Sequence, residues 1–103
     1  MAVRLRLRVR RDSKSVDVVA LLNSGYEAPT PQLLIPIDLA RELDLWPLTG
    51  EAVEVTLETA GGPLKAWFYP RAAVVKVITE DVESREVLVD VIVSPLADEP
   101  LIS

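Results

Sequence analysis

The N-terminal segment alternates strictly between aliphatic and arginine residues, and this pattern limits the possible folds more than any other feature. Residues 3–10 read VRLRLRVR, and residues 53–58 repeat the alternation with glutamate and threonine as the polar partners. A period of two places successive side chains on opposite faces, which is typical of a half-buried β-strand. We therefore expect the chain to be built from sheets.

Shorter apolar runs, bounded by turn residues, predict the remaining elements. The predicted strands are 3–10, 15–22, 32–35, 53–58, 64–69, 72–78 and 85–93. One helix is predicted over 36–44, because Pro36 suits a first helical turn and Ile37, Ala40 and Leu43 follow helical spacing. The sequence thus predicts an all-β fold, a small closed barrel with one short helix.

Chain length and hydropathy indicate a single soluble domain. The 103 residues, half of them hydrophobic, fit one domain with its own core. No apolar run approaches the roughly 18–20 residues of a membrane span. The charged N-terminus also lacks the apolar centre of a signal peptide. We expect a cytoplasmic protein with no membrane partner.

Composition excludes several classes of function. The chain has no cysteine and no histidine, which removes thiolate and imidazole catalysis and the usual zinc sites. Its net charge of -5 argues against nucleic acid as a partner. We expect no metal or cofactor, so any catalysis must come from carboxylates, hydroxyls, lysine or tyrosine.

Amide side chains are nearly absent. Asn23 is the only asparagine and Gln32 the only glutamine. Depletion of thermolabile amides is a tendency of thermophile proteins. The single asparagine therefore needs an explanation.

Asn23 lies in a tripeptide, Asn23-Ser24-Gly25, that follows the apolar strand 18–22. After it come the segment LLIP at 33–36, the helix, a glycine-tipped hairpin, two apolar strands and an apolar C-terminal segment. This order resembles the retropepsin-like family of aspartic proteases, of the single-domain homodimeric type found in archaea and bacteria. In that family the tripeptide is an aspartate, a hydroxyl residue and a glycine. The resemblance covers nearly the whole chain.

The resemblance implies a chemistry and a set of roles. Two aspartates, one from each subunit, share a proton; one acts as general base on water while the other polarises the scissile carbonyl. By this resemblance Asn23 stands at the catalytic position, Ser24 supplies the interface hydroxyl and Gly25 supports the turn. The tip of the flap, which closes on an extended peptide, corresponds to Ala60, Gly61 and Gly62.

The chain departs from the family pattern in four places. An amide at Asn23 cannot accept the proton of the attacking water, so the chain as written is predicted to be inactive. Tyr26 replaces the alanine most common after the glycine and is expected to lie at the mouth of the site. Residues 101–103 read LIS in place of apolar-apolar-glycine. The family's C-terminal helix and interface strand are also expected to be missing from domain 1–103.

Two hypotheses of function follow. The first is a homodimeric aspartic endopeptidase subunit, acting on a peptide or protein substrate, in which Asn23 is an engineered or a natural substitution. The second is a non-catalytic peptide-binding or assembly module on the same β fold. An ordinary turn at residues 23–25 is a third interpretation of the motif, because asparagine, serine and glycine favour turns.

Other charged and aromatic residues have simpler interpretations. The arginines of 4–11 are expected to form a solvated strand face that pairs with Glu54 and Glu58, in preference to binding an acidic partner. Asp17 and Asp90 are expected to face outward, with an acid role for Asp90 as the alternative. Four aromatic residues can line a peptide groove or pack in the core. They are Trp46, Trp67, Phe68 and Tyr69.

Overall fold

The computed structural model describes residues 3–22, 30–80 and 84–103. Within these ranges the backbone forms seven strands and one helix. Their bounds are β1 Arg4–Arg11, β2 Lys14–Leu22, β3 Gln32–Ile35, α1 Ile37–Glu42, β4 Val53–Thr59, β5 Gly62–Val77, β6 Val87–Val93 and β7 Leu101–Ile102. No helix in this part of the chain is long and apolar enough to cross a membrane.

Six of the strands close into a barrel. Their order is β1-β2-β7-β3-β6-β5, and β5 pairs back to β1. The pairs β2–β7 and β3–β6 are parallel, and the other neighbours are antiparallel. Strand β4 stands outside the closed ring and pairs only with β5 among the described strands. The prediction of a small all-β barrel with one short helix is confirmed.

The interior of the barrel follows from the alternation in the sequence. Leu7 and Val9 in β1 are buried, whereas Arg8 between them is exposed. The helix is shorter than predicted, and its residues Leu39 and Ala40 join the same buried cluster as Leu33 and the barrel core. The helix therefore adds its apolar side to the single core of the domain.

Strand β5 is one element of 16 residues, and the prediction of two separate strands at 64–69 and 72–78 is wrong. The pairing of β5 with β6 shifts between Tyr69 and Ala73, and Arg71 within this bulge has a positive φ of 48°. A bulge accommodates extra residues and bends the strand without ending it. The residues that looked like a break are therefore an irregularity inside one strand.

The apolar C-terminal segment forms β7, a strand that the sequence did not predict. Leu101 pairs with Leu21 of β2 and Leu34 of β3, so this two-residue strand joins the two halves of the barrel. Its neighbour Ile102 is buried. A strand this short has no periodicity of its own, and its partners determine its conformation.

The expected pairing of the arginines with Glu54 and Glu58 is wrong. Strand β1 lies between β2 and β5, and it does not touch β4, which carries both glutamates. Glu54 instead lies 3.7 Å from Lys65 on β5. The observed bridges of β1 are Arg4–Glu99, Arg8–Asp17 and Arg10–Glu86.

The two strand aspartates have different environments. Asp17 faces outward as expected and accepts hydrogen bonds from Arg8. Asp90 also faces away from the core as expected, although it is only 7% exposed. It lies on the outer side of β6, but the bulge of β5 and Thr30 cover its carboxylate.

Candidate functional site

The tripeptide that carries the resemblance lies outside the described residues. The residue expected at the mouth of the predicted catalytic site lies outside them as well. These positions are Asn23, Ser24, Gly25 and Tyr26. The structure describes the residues on both sides of this segment, Leu22 at the end of β2 and Thr30 just before β3. The roles assigned to the four residues stay predictions.

The glycine-tipped hairpin lies where the sequence predicts it. Thr59 pairs with Gly62, so Ala60 and Gly61 form a two-residue turn between β4 and β5. Gly62 has a φ of 111°, a conformation that glycine adopts without steric cost. The role of this tip in holding a peptide stays a prediction.

The hairpin projects beyond the barrel. The last residue of β6, Val93, pairs with Trp67, and residues 62–66 of β5 pair only with β4 in the described part of the chain. At about 3.3 Å per residue, these five residues extend roughly 16 Å past the rim. The hairpin is therefore an arm that projects from the barrel and is covered at its base, where Ala66 is fully buried and the Trp67 ring lies 5.4 Å from that of Trp46.

The two faces of this arm differ in polarity. Opposite residues of paired strands share a face, so the register defines each set. One face is apolar and carries Val53, Val55, Leu57, Leu64, Ala66 and Phe68. The other face carries Glu54, Thr56, Glu58, Pro63, Lys65 and Trp67. The arm is therefore amphipathic.

The apolar face of the arm continues across the outside of the barrel as a row of apolar side chains. Each member pairs with the next across six adjacent strands, in the order Leu21, Leu101, Leu34, Ile92, Phe68 and Val53. We call this set the apolar row. With strands about 4.8 Å apart, it covers roughly 24 Å of sheet surface.

The apolar row lies on the side of the sheet opposite the core. Val53 is 53% exposed, whereas Ile92 in the middle of the row is only 8% exposed. The other four members are partly buried: Leu21, Leu34, Leu101 and Phe68. The outer face of a small barrel normally alternates to polar residues. A continuous apolar row there is a candidate interaction surface. It starts at Leu21, two positions before Asn23.

Asp90 anchors the strands that flank the middle of the row. Its carboxylate accepts hydrogen bonds from the Arg71 N–H, at 2.8 Å, and from the Thr30 hydroxyl. Its own N–H donates to the Pro31 carbonyl at 3.0 Å. Both carboxylate oxygens are thus occupied, which favours an anchoring role for Asp90 over that of an acid acting on a ligand.

The aromatic residues divide between core and surface. Tyr69 is fully buried, and the rings of Trp46 and Trp67 lie 5.4 Å apart at a tilted angle. Only Phe68 of these four belongs to the apolar row. No cluster of three or more potential metal ligands occurs within residues 3–22, 30–80 and 84–103.

Comparison with known families and curated proteins does not assign this chain to a family. No family model matches the chain, and no curated protein matches it. The resemblance to retropepsin-like proteases therefore rests on the order of motifs in the sequence.

Proposed function

We propose that this chain is a subunit of a homodimeric, retropepsin-like aspartic endopeptidase in which Asn23 replaces the catalytic aspartate, so that it binds extended peptides without cleaving them. The observation that carries this proposal is the apolar row and its continuation onto the projecting arm. Together they offer one apolar surface for an extended chain.

The dimensions of the surface suit an extended peptide. A strand places every second side chain on the same side, about 7 Å apart. A surface of roughly 24 Å therefore holds about seven residues, with three or four side chains facing it. The apolar character of the row favours a peptide with aliphatic or aromatic residues at alternate positions.

The position of Asn23 supports the catalytic part of the proposal. Leu21 begins the row at the end of β2, and Asn23 follows it two positions later in the sequence. In the family that the chain resembles, a carboxylate at this position pairs with its copy from a second subunit to activate water. Asparagine keeps the size of the group but loses its basicity.

The alternative is a non-catalytic peptide-binding or assembly module that uses the same surface. The amide at position 23 favours this function if it is the residue of the natural chain. Both functions place the ligand on the apolar row, and they differ only in whether an aspartate at position 23 gives activity.

The test combines a gain-of-function variant with a surface pair. Asn23→Asp and the unmodified chain are incubated with a library of apolar peptides at acidic pH, and cleavage is followed by mass spectrometry. Binding is measured by fluorescence anisotropy, and subunit number by analytical ultracentrifugation. Cleavage by Asn23→Asp alone, in a dimer, supports the endopeptidase proposal. Binding without cleavage in both proteins supports the module.

A matched pair of substitutions locates the binding surface. Val53→Glu places a charge on the row, whereas Leu88→Glu places one on an apolar residue of similar exposure, 53% against 49%, outside the row. Only Val53→Glu is expected to weaken peptide binding. Equal effects of the two substitutions, or no binding by the unmodified chain, would contradict both functions.

A further inference from the structure

Arg71 has an unusual backbone conformation for its residue type. Three non-glycine residues in the described ranges have a positive φ: Asp12, Asp44 and Arg71. Asp12 lies in the turn between β1 and β2, and Asp44 follows the helix; aspartate tolerates this region through local hydrogen bonds. Arg71 lies inside β5 and lacks such a side chain. Strain of this kind persists only where surrounding structure enforces it.

The buried carboxylate of Asp90 holds Arg71 in this conformation. The Arg71 N–H donates to Asp90 at 2.8 Å, and the second carboxylate oxygen is bound by the Thr30 hydroxyl. A carboxylate that is 7% exposed and fixed at both oxygens is a rigid support. The position of the Arg71 backbone is therefore set by β6 and not by a flexible loop.

This support places Arg71 beside the apolar row. Asp90 and Ile92 are alternate residues of β6, so they share a face and lie about 7 Å apart. Phe68, the partner of Ile92, is one residue before Tyr69, where the bulge that contains Arg71 begins. The Arg71 N–H, which is bound to Asp90, thus lies near the middle of the row.

The Arg71 guanidinium is available for a ligand. The residue is exposed, and within the described ranges its side chain forms no salt bridge or hydrogen bond, including none to Asp90. By contrast, Arg4, Arg8 and Arg10 each have a carboxylate partner. The strained backbone of Arg71 costs folding free energy. A residue that only contacts solvent does not need this conformation, which favours a role for the guanidinium in binding.

We propose that Arg71 determines specificity by binding a carboxylate of a peptide that lies on the apolar row. The guanidinium forms two parallel hydrogen bonds with a carboxylate, which a lysine cannot reproduce. The ligand class is then an extended apolar peptide with an acidic group beside its apolar residues. This inference rests on the proposed peptide-binding function and adds the charge that the peptide must carry.

The test uses three labelled peptides with the same apolar core. One has an internal glutamate and an amidated C-terminus, the second has glutamine and an amidated C-terminus, and the third has glutamine and a free C-terminal carboxylate. We expect anisotropy titrations to show about tenfold tighter binding of one carboxylate peptide than of the neutral one, the size of one charge-assisted contact. Tighter binding of the glutamate peptide identifies a side-chain carboxylate as the ligand. Tighter binding of the peptide with the free C-terminus identifies the terminal carboxylate.

Arg71→Gly separates recognition from folding. Glycine relieves the strain at a φ of 48°, so this variant is expected to melt at a higher temperature than the unmodified chain while losing the preference for the carboxylate. Arg71→Lys is expected to keep only part of the preference. Arg85→Gly, at an exposed arginine outside the row, is expected to keep all of it.

The outcomes are separable. Equal binding of all three peptides by the unmodified chain, or an unchanged preference in Arg71→Gly, overturns the role of Arg71 and leaves peptide binding intact. Failure of the unmodified chain to bind any of the three overturns the proposed function, and this inference with it.

Discussion

Tyr69 connects two parts of the chain through a single hydroxyl group. It is fully buried, donates a hydrogen bond to the Leu45 carbonyl at 2.8 Å, and accepts one from the Thr49 N–H at 3.2 Å. The segment between the helix and β4 is thereby fastened to β5. These two backbone groups lie outside helices and strands. The Tyr69 hydroxyl therefore supplies the hydrogen-bond partners that regular secondary structure would otherwise provide.

Tyr69→Phe is expected to destabilise the protein by about 1–3 kcal/mol, because two buried backbone groups lose their partner while the ring stays in place. Chemical denaturation monitored by circular dichroism measures this change. Thr56→Val, which removes an exposed hydroxyl from the arm, is the control and is expected to stay within about 0.5 kcal/mol. An equally small effect at Tyr69 would show that water replaces the lost contacts.

Sequence reasoning at the residue scale predicts which side of a strand a residue occupies, but not what covers it. Asp90 does face away from the core residues Val89 and Val91, as alternation requires. It is buried because the bulge of β5 brings the Arg71 N–H over it. The bulge depends on contacts between segments that are distant in the sequence. The local pattern of apolar and polar residues therefore does not predict it.

Individual elements of the barrel are joined by the arginines of β1. The hydrogen bond from Arg8 holds the pKa of Asp17 below its ordinary value, and the hydrogen bond from Arg10 does the same for the pKa of Glu86. These contacts connect β1 to β2 and to the residue before β6. A folded-state pKa below the unfolded value stabilises the protein above the unfolded pKa, and this stabilisation is lost as the pH falls through the folded pKa.

Asp17→Asn combined with Glu86→Gln is therefore expected to lower the melting temperature slightly at neutral pH and to leave it unchanged in strong acid. Both carboxylates are exposed, so added salt should shrink the difference. Melting curves between neutral pH and about pH 2, at low and high salt, test this. Glu51→Gln, at an exposed glutamate without a salt bridge among the described residues, should show no such difference.

Elements with a clear period were predictable, and those defined by partners were not. The predicted strand 32–35 matches β3, and the alternation at 53–58 lies within β4. The apolar row had a weaker signal: residues 18–22 and 87–93 are apolar on both faces over much of their length. Such runs indicate a strand covered on both sides, but only the strand order shows that they lie in one surface.

At the scale of the whole molecule, closure of the barrel depends on β7. Leu101 and Ile102 pair with β2 on one side and with β3 on the other. The Leu21 N–H also binds the Pro100 carbonyl, and the Ser103 N–H binds the Gln32 carbonyl. Without this short strand, the backbone groups at both edges lose their partners.

Ile102→Ala is expected to cost about 2–4 kcal/mol, because it opens a cavity at the point where the ring closes. Leu96→Ala removes a similar aliphatic group from a residue that is 71% exposed and should change stability by less than about 0.5 kcal/mol. Urea unfolding measures both. Hydrogen exchange should further show faster opening of the Leu21 and Ser103 amides, which bond across β7, in Ile102→Ala. Equal stability of the two variants would contradict the closing role of β7.

The order of the strands has a consequence for how the protein is made. Strands β2 and β3 leave the ribosome long before residues 101–102, yet each needs them to satisfy one edge. Until then both edges present apolar, hydrogen-bonding backbone to the surroundings, a state prone to association with other chains. The nascent barrel therefore completes its ring only after synthesis has passed β7, and conditions that slow translation between β3 and β7 should lower the yield of soluble protein.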